Sequence, residues 1–173
     1  RKLDQSYKTA QVDGMYYFSL RNYGHFLITQ QGNLEGGIYH LTLAERFGPL
    51  DNTSVQLREG ARMYITGASF WELDWKQAYA YFSEVGNGWP GMWDGTMTGT
   101  QRLQISAMRY GDELFEQQAY CAAYDQYQVA AAIGNLDDRA IKNSNQAFQL
   151  CYPPTEIPPT LESTPVPTGT VTP

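Results

Sequence analysis

Tyr23-Gly24-His25-Phe26-Leu27, Thr66-Gly67-Ala68-Ser69-Phe70 and Tyr110-Gly111-Asp112-Glu113-Leu114 are three versions of one pattern. In each, a glycine is followed three residues later by a large apolar side chain. The glycines stand 43 and then 44 residues apart. Downstream of each comes a small residue and, four positions on, a large one: Gly37 and Leu41, Ala78 and Phe82, Ala123 and Tyr127. Three residues further lie Ala44, Val85 and Ala130. Pro49 and Pro90 follow in the first two units, and Asn135 stands in the third.

Self-similarity at a fixed spacing is the signature of stacked supersecondary units. The residue types say what those units are. A glycine or alanine lets two helices approach closely, a large apolar residue fills the space beside it, and proline stops the second helix. The pattern resembles the tetratricopeptide (TPR) repeat, W-x2-L-G-x2-Y followed by A-x3-F and P. The resemblance spans residues 17–151. It is degenerate: Leu20, Met63 and Ala107 stand where the family has Trp, and the spacing exceeds the family's roughly 34 residues. A plain helical bundle is the competing reading. The resemblance implies an all-α, TPR-like solenoid of three helical hairpins plus a capping helix. Helices are expected at 15–31, 33–47, 55–73, 75–86, 99–117, 119–133 and 138–151. Residues 1–151 then form the repeat domain and residues 152–173 an extended tail.

Bulk composition narrows the partners. The chain has 173 residues, 42% of them hydrophobic and 17% charged, with a net charge of −6. An acidic chain without clustered Lys or Arg lacks what a nucleic-acid backbone requires. No run of apolar residues reaches the length of a membrane span.

The two cysteines fit the hairpin geometry. The turn after the sixth helix lies near Asn135, with Cys121 14 residues before it and Cys151 16 after it. In an antiparallel pair of helices those positions share a height, which predicts a Cys121–Cys151 disulfide. It would close a loop of about 30 residues and stabilise by roughly 3–4 kcal/mol in the chain-entropy model. The alternative is two small buried thiols at helix contacts. A disulfide implies an oxidising compartment, hence an extracellular or cell-surface location.

Composition changes at Pro153. Seven of the nine prolines and six threonines lie in 153–173, a segment suited to extended or polyproline II backbone. One reading is a stalk carrying glycans on its Thr residues. The other is a ligand, because Ile157, Leu161, Val166 and Val171 recur every four or five residues, and a pure spacer has no use for them.

The TPR resemblance also implies a concave groove lined by the first helix of each hairpin. Carried onto matching positions, it names Arg21, His25 and Ile28, then Tyr64, Ala68, Trp71 and Glu72, then Met108, Asp112, Phe115 and Glu116. Tyr64, Trp71, Met108, Asp112 and Phe115 are the candidate binding residues. Aromatic grooves suit polyproline segments, which lose little entropy on docking. The Lys/Asn/Arg carboxylate clamp of chaperone-binding members is absent.

Catalytic motifs are missing. The loop Gly86–Gly99 lacks both the Lys-Ser/Thr of a phosphate loop and the alternating carboxylates of a calcium loop. Its Trp89 and Trp93 offer a sugar-stacking surface or, alternatively, plugs for a gap between helices. Glu72/Asp74 and Glu113/Glu116 are carboxylate pairs of the kind found on solvated helix faces. Asn52-Thr53-Ser54 matches a glycosylation acceptor. His25 and His40 have no close metal-ligand spacing with the cysteines, and no metal or cofactor is expected. The readings carried forward are a self-associating assembly module, an exported peptide-binding adaptor and, more distantly, a carbohydrate-binding or carbohydrate-active protein.

Overall fold

A computed structural model describes residues 8–153. The tail positions Ile157, Leu161, Val166 and Val171 lie outside the described residues.

The described chain forms seven helices: α1 (Thr9–Gln31), α2 (Leu34–Ala44), α3 (Asn52–Ser69), α4 (Trp75–Gly88), α5 (Gly99–Glu116), α6 (Tyr120–Ile133) and α7 (Asp138–Cys151). Their starts are written in capping residues. Asn33, Asp51, Asp74 and Asp137 each accept a hydrogen bond from the backbone N–H three residues on, which satisfies a donor the helix leaves orphaned. Thr98 and Gln101 make a reciprocal capping box at the start of α5.

Four boundaries lie three or more residues from expectation, among them the end of α3 at Ser69 instead of residue 73. Helix α2 stops at Ala44, and residues 45–47 form a turn ahead of Pro49. Helix α3 starts at Asn52, because Asp51 is available as a cap. Helix α1 begins at Thr9, well before residue 15.

Each helix packs on the next, and in addition α1 touches α3 and α5 touches α7. The pattern read from the sequence is the pattern of the interior. Gly24, Gly67 and Gly111 are buried, as are Gly37, Ala78 and Ala123. So are Leu41, Phe82 and Tyr127, and Ala44, Val85 and Ala130. The three motif glycines do the same job. A methyl group added there would lie 2.9 Å from Leu41 Cγ, Tyr81 Cβ and Tyr127 Cε1 respectively. Ordinary carbon contacts are about 3.5–4.0 Å, so a hydrogen at these positions sets how closely the paired helices approach.

The turns inside the three hairpins also share a device. Gly32, Glu72 and Gln118 have φ of 64°, 64° and 62°, each reversing the chain between two helices. The buried residues form two clusters, one around Tyr64 and Phe82 and the other around Tyr127, and Tyr79 packs on both.

The expected disulfide is present. Cys121 and Cys151 are joined, with Cα atoms 5.0 Å apart, tying α7 to α6. No helix among the described residues is long and apolar enough to cross a membrane.

Candidate interaction surfaces

The positions assigned to a groove turn out to be occupied by the chain itself. Tyr64 is buried; its hydroxyl donates to the Met97 carbonyl at 2.6 Å and accepts from Arg102 Nε at 3.0 Å. Arg102 is paired with Asp94 at 2.5 Å, and its guanidinium lies 4.5 Å from the Trp71 ring centroid. Trp71 is half-buried and meets Trp75 and Phe82 edge-on. Met108 is buried. Asp112, only 3% exposed, accepts from Tyr127 Oη at 2.8 Å and Asn143 Nδ2 at 2.9 Å. It also pairs with Arg109 and Arg139. Phe115 is partly buried against Tyr120.

Met108 and Asp112 are buried, while Tyr64, itself buried, stands with Ala68, Asp94 and the turn at residues 32–34 around an open pocket of about 330 Å³. Polar side chains link each hairpin to the helix start that follows it. Arg21 of α1 pairs with Asp51, the cap of α3, and His25 Nε2 is 2.8 Å from Ser54 Oγ. Arg109 of α5 pairs with Asp137, the cap of α7, at 2.5 Å. Tyr64 of α3 does the equivalent by holding Met97, next to the cap Thr98 of α5. Tyr64 and Asp112 are thus engaged by elements that follow their own hairpin, whereas Phe115 packs within its own.

These contacts set the electrostatics. Hydrogen bonding from Arg21, helped by the Ser54 backbone, holds the Asp51 carboxyl well below the usual carboxylate range. Burial pushes Asp94 up, but bonds from Thr96, Met97 and Arg102 outweigh it and keep the carboxyl ionised. Burial pushes the Tyr64 phenol up to about 12.

The Gly-rich loop is similarly committed. Asp94 Oδ1 accepts from Thr96 N, Thr96 Oγ1 and Met97 N at 2.6–3.0 Å, closing the loop on itself. Trp89 lies on Gly60, where an added methyl would come within 2.6 Å of the indole. It fills a gap between helices, and Trp93 is half-buried and bridged to Thr98. Of the carboxylate pairs, Asp74 caps α4. Glu113 is raised by burial and by the like charges of Asp74 and Glu116, while Glu116 is paired with Arg139. No group of three or more His, Cys, Asp or Glu among the described residues is placed to hold a metal ion.

What remains open lies elsewhere. Six of the exposed large hydrophobic residues belong to α1 and α2: Met15, Tyr16, Phe18, Tyr23, Phe26 and Tyr39. Four belong to α7 and its end: Ile141, Phe148, Leu150 and Tyr152. Between them, among the described residues, only Leu73 is of this kind. Exposed large apolar side chains are thus concentrated at the two ends of the helix series. The sequence carried a signal for this. Apolar residues of α1 lie all round the helix, more than one packing face can bury, and an all-round apolar helix requires cover on every side. On α7, Ile141, Phe148 and Tyr152 recur at i, i+7 and i+11, a single stripe. Neither protein-family models nor curated proteins nor solved structures give a match to this chain.

Proposed function

We propose that this chain is a non-enzymatic assembly module, a TPR-like stack of helical hairpins that joins copies of itself end to end. The observation that carries the reading is the confinement of exposed large apolar residues to the first hairpin and the last helix. A stack of hairpins needs polar outer faces on its terminal units to stay soluble as a monomer. Exposed apolar area concentrated at both ends instead favours continued stacking. A head-to-tail contact of this sort is heterologous, and it closes into a ring or runs on as a filament.

The repeat reading is supported by the equivalent buried positions, the shared left-handed turns and the cap-to-helix links between successive hairpins. A non-catalytic role is supported by the use of Asp51, Asp74, Asp94, Asp112 and Asp137 in caps and ion pairs. The disulfide favours an oxidising, extracellular setting. The chain continues from Pro153 at the α7 end, so the Pro/Thr segment starts beside one of the two apolar ends. On this reading its apolar residues add contacts to the neighbouring copy.

Light scattering of the full chain across a wide concentration range tests the proposal. Mass is expected to rise with concentration through multiples of the monomer, with rings or filaments visible by electron microscopy. A constant monomer mass would refute it. Deleting residues 153–173 separates the contributions: assembly lost on deletion assigns it to the tail, and assembly retained assigns it to the helical ends.

A further inference from the structure

We infer that the outer face of the N-terminal half of α1 in one copy is the docking site for the α7 stripe of a second copy. This inference rests on the assembly reading above and specifies its contact. On α1, Met15 and Phe18 are 70% and 61% exposed. Met15 borders two shallow depressions, of about 590 and 350 Å³, and Phe18 borders the larger. The small residues Ala10, Gly14 and Ser19 are part of the lining of the larger depression, and Ser19 also lines the smaller. At Gly14 an added methyl would meet nothing within 4 Å, so the hollow has room for an incoming side chain. Asp13 is the one charged residue between Thr9 and Ser19, and low charge is typical of an interface core.

The α7 end has the complementary relief. Ile141, Phe148 and Tyr152 form a ridge. Phe148 is held by ring contacts to Tyr124 at 5.3 Å and to Tyr152 at 5.4 Å. Such side chains are set in place before binding and lose little freedom on docking. A ridge of aromatic knobs fits a face with hollows. Setting α1 against α1 would instead oppose Met15 and Phe18 to their own copies, ridge on ridge.

Two further observations favour a second copy as the occupant. Helix α1 packs on α2 and α3, whereas α7 packs on α5 and α6. The two faces lie at opposite ends of one chain, and docking α7 on the next α1 continues the order in which each helix packs on its successor. Area agrees as well. At about 200 Å² for a fully exposed large side chain, Met15, Tyr16 and Phe18 offer roughly 370 Å² of apolar surface and the four residues at the α7 end roughly 390 Å². Each is about half of what one partner contributes to a standard interface, near the apolar share such interfaces have.

The test uses two variants of the full chain. The first carries Met15→Glu and Phe18→Glu, and the second carries Ile141→Glu and Phe148→Glu. Each alone is expected to be monomeric by sedimentation velocity at concentrations where the parent chain assembles, with dissociation constants raised at least tenfold. Each still has one intact end, so the equimolar mixture is expected to form a dimer and nothing larger. That dimer also shows that both variants are folded. Leu73→Glu, away from both ends, is expected to assemble like the parent. A dimer from either variant alone would reveal an α1–α1 or α7–α7 contact and overturn the inference. Polymers that persist in both variants but vanish on deleting residues 153–173 would overturn it while leaving the assembly reading intact. A parent chain that never assembles would overturn both.

Discussion

The motif glycines make a prediction whose sign depends on the tertiary structure. Consider Gly67→Ala against Gly14→Ala. Both residues lie inside helices, α3 and α1. By intrinsic propensity, each substitution should stabilise its helix by about 0.8–1 kcal/mol. At Gly14 nothing lies within 4 Å of the added methyl, so that gain is expected in full. At Gly67 the methyl would sit 2.9 Å from Tyr81 Cβ and 3.2 Å from the Phe82 ring. Tyr81 Cβ is fixed to the α4 backbone and cannot swing aside. To restore a contact of about 3.5–4.0 Å, the two helices must separate by roughly half an ångström or more, and that loosens the contacts on either side. Overpacking of this kind costs about 1–3 kcal/mol. Setting that against the propensity gain leaves a net loss near 1 kcal/mol. For a domain of this size 1 kcal/mol moves Tm by about 2–4 °C. Thermal unfolding followed by circular dichroism, at a concentration where the chain is monomeric, should show Gly67→Ala lowered by that amount and Gly14→Ala raised. A Gly67→Ala chain stabilised as much as Gly14→Ala would refute the close approach of α3 and α4.

Four further outcomes follow from the same structure. Reducing the Cys121–Cys151 bond, whose partners are 30 residues apart, should lower stability by about 3–4 kcal/mol on the chain-entropy account; mass spectrometry reads the change as about 2 Da and urea unfolding reads the loss. Arg102→Ala leaves Asp94 without its cation and Tyr64 without its donor, and urea unfolding should show a loss of about 3 kcal/mol. Arg62→Ala, which breaks the exposed pair with Glu59, should cost under about 1 kcal/mol. Stability against pH should fall at both extremes. Asp51 and Asp94 are held below their ordinary values when folded. Their contribution is complete above about pH 4, the ordinary carboxylate range, and is lost as pH drops through the folded values. His25 is pushed down by burial and then by Arg21, adding a loss that begins below about pH 6.5. Tyr64 is raised to about 12, so its contribution is complete below about pH 10 and is lost as pH climbs through 12. A Tm profile measured from pH 2 to 12 checks all three signs.

The sequence by itself determined the helices and what faces inward. Gly24, Gly67 and Gly111, with Leu41, Phe82 and Tyr127, could be read because small-against-large packing between adjacent helices is local and repeats with the period of the chain. The disulfide was legible for a similar reason, since two helices joined by a short turn fix which heights coincide. Only the tertiary structure decided what the first helices do with their remaining faces. Arg21 finds Asp51, Tyr64 finds Met97 and Arg109 finds Asp137, across separations that no periodicity encodes. Those contacts depend on how one hairpin sits against the next, as does the burial of Tyr64, Met108 and Asp112. What covers the apolar ends was hidden for the converse reason. Met15, Phe18, Ile141 and Phe148 look like core residues in a sequence, because an apolar side chain declares that it needs cover but not whether the same chain supplies it.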